Sequence, residues 1–294
     1  MANRIRSVEI RNRVLNPAEA EFFVQVVPEL ANERTEMRGH FRGPLCAYAS
    51  TVEVRYPLQP LASREESLRK RVIIPEPSWW EPVTPFLYDG TIEFWEDGKF
   101  CDGTEVRHGL RVLRRRENRL LLNGRALHVQ GTCYDRQSRA DLVRAHQDGI
   151  NTLLVPVASR HPEVWKVADE LGFLVIVQVE DVEQDSSMIT SLAEHPSSFG
   201  WVYCGGGVSE KALCAMLAAR DPQADKLLVG ICWPAPEAIM AQEVDFVVCD
   251  SQNLDSLPDV RLPVLVLTKG ALADGEAGAP SSSFAGWICN AEKC

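Results

Sequence analysis

The sequence predicts a multidomain protein of the β + α/β class. The chain has 294 residues, enough for about two domains of roughly 100–200 residues each. Short strand-like segments fill its first part, and from about residue 120 apolar runs alternate with helical stretches. We therefore expect a β domain over residues 1–118 and an α/β domain over residues 119–294.

The first domain is predicted to be a β-sandwich, because several short strands separated by Gly, Pro, Asn and Asp are typical of that architecture. Asp97-Gly98 favours a hairpin, since this pair supplies the positive φ angles of a tight turn. The predicted strands are Ile5–Ile10, Glu21–Val27, Thr51–Tyr56, Lys70–Ile74, Gly90–Trp95 and Val106–Leu113.

The second domain is predicted to contain parallel strands, because apolar runs such as Phe173–Val179 indicate burial on both faces. Repeated β-α units fit either a closed barrel or an open doubly wound sheet. The first strand is not followed by Gly-x-Gly-x-x-Gly, so dinucleotide binding has no support and we expect no cofactor. The predicted strands are Leu127–Cys133, Thr152–Val157, Phe173–Val179, Phe199–Cys204, Lys226–Trp233, Val244–Cys249, Pro263–Leu267 and Phe284–Cys289. The predicted helices are Arg139–Gly149, Pro162–Gly172, Ser186–His195, Ser209–Arg220 and Pro236–Gln242.

The composition restricts the classes of partner. A net charge of −10 repels phosphate backbones, so we expect no nucleic acid partner. Nine cysteines without a Cys-x-x-Cys pair indicate a reducing compartment and predict no metal site. The first residues lack an apolar signal core, and no run approaches the ~18 apolar residues of a membrane span. These features predict a cytoplasmic protein with no membrane partner.

Five groups of residues form an ordered series of motifs. They are Trp79-Trp80 with Pro82-Val-Thr-Pro-Phe-Leu-Tyr88, Gly109-Leu-Arg111, Leu121-Leu-Asn-Gly-Arg125, Gly149-Ile-Asn-Thr152 and Ala168-Asp-Glu-Leu-Gly172. In order and spacing they resemble glycoside hydrolase family 2, the group of β-galactosidases, β-glucuronidases and β-mannosidases. The resemblance covers roughly residues 50–290. It implies an immunoglobulin-like β-sandwich followed by a compact, shortened (β/α)8 TIM barrel, and we expect the family's N-terminal jelly-roll domain to be missing.

The resemblance also places the two catalytic positions of the family. Family 2 enzymes are retaining glycosidases, which need one carboxyl group as acid/base and another as nucleophile. The segment from His195 that matches the family's acid/base motif has Gly205 and Gly206 at the Asn and Glu positions. The segment from Pro263 has Thr268 at the nucleophile position. Glycine cannot transfer a proton, and threonine lacks an ionised oxygen. We therefore expect no catalytic residues at the family's positions.

Other side chains near the predicted strand ends are candidates for ligand binding. Three roles are open for the carboxylates: they are solvated loop residues, they line a remaining polar pocket, or they form a replacement acid pair. The tryptophans either stack on a sugar or pack in the core. These candidates are Asp135, Glu180, Asp181, Trp233, Asp250 and Trp287. Cysteines also fall near strand ends, and we expect them to fill the barrel interior rather than to bind metal. They are Cys133, Cys204, Cys232, Cys249 and Cys289.

Our leading hypothesis is a pseudo-glycosidase, a family 2-like scaffold retained for carbohydrate binding or protein assembly. Missing outer helices would expose apolar barrel surface, so a protein partner or a homo-oligomer is expected. The alternative is an active β-glycosidase that uses displaced carboxylates such as Glu180, Asp181 or Asp250. A third hypothesis is a purely structural protein without a ligand. Fold alone does not decide among them, because function resides in the site.

Overall fold

A computed structural model describes most of the chain. The described residues are 3–30, 34–61, 68–156, 161–181, 192, 194–204, 227–234, 244–258, 261–269 and 283–289. They divide into two compact units, Met1–Arg111 and Val112–Cys294. Within the described part of the chain, no helix combines the length and apolar character needed to cross a membrane.

The first unit consists of two antiparallel four-stranded sheets. Their orders are β1-β2-β6-β5 and β4-β3-β7-β8. The strands are β1 (Ile5–Leu15), β2 (Glu19–Pro28), β3 (Thr35–Leu45), β4 (Val54–Pro57), β5 (Gln59–Pro60), β6 (Arg69–Pro75), β7 (Leu87–Glu96) and β8 (Lys99–His108). The hairpin between β7 and β8 turns at Asp97 and Gly98, which have φ angles of 50° and 70°. The predicted tight turn is therefore confirmed.

One face of each sheet contributes to a shared hydrophobic core. Along β7 buried and partly buried residues alternate, as expected for strands that bury one face. Phe22 of β2 meets Phe41 of β3 edge to face, with ring centroids 5.0 Å apart. The other buried members are Ala20, Val24, Val26, Met37, Val72, Ile74, Tyr88, Ile92, Phe94 and Leu110. These residues hold the two sheets together as a sandwich.

The second unit begins with a small antiparallel sheet and continues as a closed barrel. The small sheet has the order β11-β10-β9, formed by β9 (Leu113–Arg116), β10 (Arg119–Leu122) and β11 (Arg125–Ala126). The barrel has eight strands in chain order, all pairs being parallel. They are β12 (Val129–Cys133), β13 (Thr152–Val155), β14 (Leu174–Val179), β15 (Ser198–Tyr203), β16 (Leu228–Trp233), β17 (Phe246–Asp250), β18 (Val264–Thr268) and β19 (Phe284–Cys289).

The barrel interior is filled by side chains rather than left open. Phe199 and Phe246 meet edge to face with ring centroids 5.3 Å apart. A Cβ placed on Gly230 would lie 2.3 Å from the Phe246 ring, so only glycine fits below that ring. The exterior carries a second, larger cluster that joins strand residues to the helices. The barrel strands are therefore buried on both faces, which explains their nearly continuous apolar sequences.

Two α-helices with described bounds pack outside the barrel. α1 (Arg139–Gln147) follows β12, and α2 (Pro162–Leu171) follows β13. Ser138 caps α1 through a reciprocal capping box with Asp141. α2 begins at Pro162, as the sequence predicted, and ends at Leu171, after which Gly172 provides a left-handed cap with a φ of 81°. A 3-10 helix (Ser251–Ser256) follows β17.

The predicted (β/α)8 TIM barrel is wrong. The described residues form a closed, all-parallel eight-stranded β-barrel and separate antiparallel sheets, and their helices do not alternate with every strand. Apolar strands predict burial on both faces, but they do not specify which covering elements supply that burial. The predicted helices 209–220 and 236–242, and most of 186–195, lie outside the described residues.

Candidate functional site

The candidate site lies at the end of the barrel where the strands have their carboxyl termini. Parallel strands bring these ends together, and we call this end the mouth. Glu180 follows β14, Asp135 lies shortly after β12, and both side chains are exposed, as is that of Asp181. Asp250 ends β17 and is half-buried. Gly205 and Gly206 lie outside the described residues.

The inner and outer faces of the strands follow from the cluster that contacts α2. On a strand, alternate residues point to opposite faces. The strand residues that share this outer cluster with Val164, Trp165 and Ala168 include Val175, Val177, Val179, Trp201, Tyr203, Val229 and Ile231. The alternate positions, which include Gln178, Val202 and Gly230, therefore face the interior. Continuing this alternation places Glu180, Cys204 and Cys232 on the inner side.

Glu180, Cys204 and Cys232 form one row across three neighbouring strands. Val179 pairs with Tyr203, and Tyr203 pairs with Ile231, so the next residue of each strand continues the row. Cys204 stands next to Cys232 in this row, and its thiol donates to the Val202 carbonyl at 3.9 Å. The neighbouring Cys232 thiol, burial and the Glu180 carboxylate raise the pKa of the Cys204 thiol well above its usual range. The row thus joins a carboxylate and two thiols at the mouth.

Thr268 does not face the barrel interior. Val264 and Val266 of β18 share an outer cluster with Cys249, and alternation places Thr268 on that same side. Thr268 is buried, with only 5% of its surface exposed. The position that resembles the family's nucleophile therefore holds a buried alcohol directed away from the mouth.

The two candidate tryptophans also lie on the outer side. Trp233 packs against the outer clusters, and its indole Nε1 donates to Ser256 Oγ at 3.1 Å. Trp287 is buried and pairs with Val266, which belongs to the outer face of β18. Both side chains therefore pack around the barrel rather than line its mouth.

Asp250 has a local structural role. Its Oδ1 accepts from the backbone N–H of Gln252 at 3.0 Å, which caps the 3-10 helix. Near β12, the Asp135 backbone N–H donates to Gln137 Oε1, and Gln137 Nε2 donates to the Cys133 carbonyl. Among the described residues, no group of three or more His, Cys, Asp or Glu side chains is placed to hold a metal ion.

Several motifs of the resemblance meet at the opposite end of the barrel. His195 Nδ1 lies 2.8 Å from Asp169 Oδ2, and the Ser197 backbone N–H donates to Asp169 Oδ1 at 2.9 Å. Asn151 Oδ1 accepts from the Gln130 backbone N–H, and its Nδ2 donates to the His128 carbonyl. These hydrogen bonds tie strands and α2 together below the mouth. The motif residues therefore maintain the fold, and they carry no information about chemistry at the mouth.

Sequence reasoning missed the pairing of Cys204 with Cys232. Both lie near predicted strand ends, but their sequence separation does not indicate contact. The signal needed was the strand register, which brings the two positions side by side. With the register known, the two cysteines stand side by side at the mouth.

Comparisons with known proteins agree with this architecture. Residues 3–111 match the family model described as Glycosyl hydrolases family 2. A solved family 2 member from Bacteroides cellulosilyticus has 17% identity and a TM-score of 0.70, over 98% of this chain and 44% of that one. A β-glycosidase from Bacteroides vulgatus has 14% identity and a TM-score of 0.67, over 90% of this chain and 38% of that one. A Bifidobacterium dentium β-glucuronidase, complexed with coumarin-3-O-glucuronide, has 15% identity and a TM-score of 0.65, over 98% and 61%.

These similarities define the class of fold. The chain has the fold of family 2 glycosidases, and the family match itself covers the first unit. The chain spans less than two thirds of the length of each solved structure named above. No curated protein matches the sequence.

Proposed function

We propose that this chain is a glycosidase-like carbohydrate-binding protein that does not hydrolyse sugars by the family 2 route. The observation that carries the proposal is Thr268, a buried alcohol on the outer side of β18 at the position that resembles the family's nucleophile. A retaining mechanism needs two carboxyl groups about 5–5.5 Å apart. The sequence also places Gly206 at the acid/base position. Both requirements of the reaction are therefore unmet at the family's positions.

Carbohydrate is the ligand class that the comparisons support. The Ruminococcus gnavus and Bifidobacterium dentium β-glucuronidases are described in complex with a uronic isofagomine and a glucuronide, respectively. The mouth of this barrel presents the exposed carboxylates Asp135 and Glu180, which accept hydrogen bonds from sugar hydroxyls. We therefore propose that a β-glycoside binds at the mouth without being cleaved. Assembly with a protein partner or a second copy is the competing use of the same scaffold.

An active enzyme with displaced carboxylates is the second candidate. Glu180 favours it, because the row with Cys204 directs this carboxylate towards the interior. A second carboxyl group would have to stand opposite Glu180 at a catalytic separation. Asp250, which ends β17, is one candidate for that second group, although it already caps the 3-10 helix.

Parallel turnover and binding measurements test the proposal. Chromogenic β-glucuronides, β-galactosides and β-glucosides should give no turnover with the purified chain. At least one corresponding sugar should raise the melting temperature, because a ligand that binds only the folded state stabilises it. Glu180→Gln should reduce that shift, whereas Glu105→Gln, which changes an exposed carboxylate of the sandwich, should leave it unchanged.

The outcomes separate the three hypotheses. Turnover that Glu180→Gln abolishes would establish the displaced-carboxylate enzyme. A melting temperature that no sugar changes would overturn carbohydrate binding. If the chain then sedimented as an oligomer, assembly would be the remaining use of the scaffold.

A further inference from the structure

Cys204 and Cys232 occupy equivalent positions on neighbouring strands. Tyr203 of β15 pairs with Ile231 of β16, so the following residues, Cys204 and Cys232, stand side by side. Both are partly buried. Because their strand neighbours Tyr203 and Ile231 belong to the outer cluster, both cysteine side chains point to the inner face.

The spacing of the two strands suits a covalent link. Neighbouring strands lie about 4.7–4.9 Å apart, and the Cα atoms of a disulfide are usually about 4.4–6.8 Å apart. The two thiols lie on the same inner face of these paired strands, one residue beyond the Tyr203–Ile231 pair. A bond between the sulfur atoms therefore requires no rearrangement of the strands.

We propose that Cys204 and Cys232 form a redox-active dithiol, which closes to a disulfide across β15 and β16 by exchange with a small-molecule disulfide. This site is independent of whether the mouth binds a sugar. Its closure would join two barrel strands beside Glu180 and would remove the Cys204 S–H as a donor at the mouth.

The exchange balances with the small-molecule disulfide as the oxidant. One cysteine thiolate attacks a sulfur of that disulfide, forms a mixed disulfide and expels one thiolate. The second cysteine then attacks the protein sulfur of the mixed disulfide and expels the other thiolate. The protein pair loses two electrons and its two protons, and the oxidant leaves as two thiol molecules.

Cys249 provides a matched control within the same barrel. It follows Val248, the partner of Cys232, but it belongs to the outer cluster with Val264 and Val266. It is fully buried, and its thiol donates to the Asp250 carbonyl. Burial also raises the pKa of the Cys249 thiol to about 11. Cys249, whose thiol lies on the outer face, should therefore not take part in the thiol–disulfide exchange.

Disulfide mapping of the full chain tests the proposal. The protein is incubated with oxidised glutathione, its free thiols are blocked, and peptides are mapped by mass spectrometry without reduction. The expected product is a Cys204–Cys232 linkage that dithiothreitol removes. Cys204→Ser and Cys232→Ser should each abolish the linkage, and Cys249→Ser should retain it.

The wild-type map is decisive even if a variant fails to fold. Glutathione adducts without a Cys204–Cys232 linkage, or a linkage from Cys232 to Cys249 or Cys214, would overturn the proposal.

Discussion

The two units of the chain bury their strands in different ways. In β7 of the sandwich, buried positions alternate with partly exposed ones. In β14 of the barrel, nearly every position is buried. Each antiparallel sheet of a sandwich buries one face against the other sheet. A barrel strand buries one face in the barrel interior and the other against the outer layer.

Each of the two cores contains an edge-to-face pair of phenylalanine rings. Phe22 and Phe41 join two sheets of the sandwich, with an interplanar angle of 82°. Phe199 and Phe246 fill the inside of the barrel, with an angle of 85°. The contact geometry is nearly the same, so substitutions at the two pairs compare the cores directly.

The largest expected effect comes from truncating one ring in each unit. Phe41→Ala and Phe246→Ala should each lower the free energy of unfolding by about 3–5 kcal/mol, because each leaves a cavity in a buried core. Urea unfolding measures the loss. Hydrogen exchange then shows where protection falls, which should be the sandwich for Phe41→Ala and the barrel for Phe246→Ala.

Phe100→Ala is the control, since that ring is 58% exposed. It should have a much smaller effect. Loss of protection throughout the chain in both core variants would show that the two units unfold as one cooperative body.

A smaller effect is expected from the ionisation of Tyr88, which lies in the core of the sandwich. Burial raises the pKa of Tyr88 from 10.0 to about 12, and its hydroxyl also donates to the Ser78 carbonyl. A raised pKa in the folded state means that stability is present below pH 10 and is lost as the pH rises towards 12. At about 1.4 kcal/mol per pKa unit, the loss is on the order of 3 kcal/mol.

Urea denaturation at a series of pH values from about 9 to about 12 measures this loss. The range covers the ordinary pKa of tyrosine and the raised pKa of Tyr88. Tyr88→Phe removes the ionisable group and should reduce the slope of stability with pH in this range. An identical slope in the two proteins would assign the alkaline instability to other groups.

The smallest expected effect is at the start of α1. The Asp141 backbone N–H donates to Ser138 Oγ, and the Ser138 backbone N–H donates to Asp141 Oδ2. Ser138→Ala should lower stability by about 1 kcal/mol, the usual effect of losing a helix cap. Asp141→Ala should have a similar effect, and the double variant should lose less than the sum because the two residues form one motif. Additive losses measured by urea unfolding would contradict a reciprocal cap.

Much of the strand pattern followed from the sequence, but β3 did not. Its buried positions Thr35, Met37, Phe41 and Gly43 have the two-residue period of a strand. Charged residues and glycines separate them, so the segment lacks the propensity of its neighbours. The barrel strands were easier to identify, because burial on both faces produces apolar runs such as Phe284–Cys289, whose predicted limits match β19.

The candidate site was less predictable than the strands. Asp135, Glu180 and Asp250 follow or end strands in the sequence, and this alone places them at the mouth. The face on which Thr268 and Trp287 lie depends on alternation relative to neighbours, and the contact of Cys204 with Cys232 depends on register. A slip of one residue reverses every face of a strand, so sequence position alone could not determine either.

The hydrogen-bonded group of Asp169, His195 and Ser197 has a consequence for how this scaffold can change. It anchors α2 and β15 at the end of the barrel away from the mouth. Its hydrogen bonds join residues at the end away from the mouth, so substitutions of described residues at the mouth leave these bonds in place. Side chains at the mouth can therefore be replaced while the barrel keeps its fold. This property makes the barrel a suitable scaffold for engineered ligand binding.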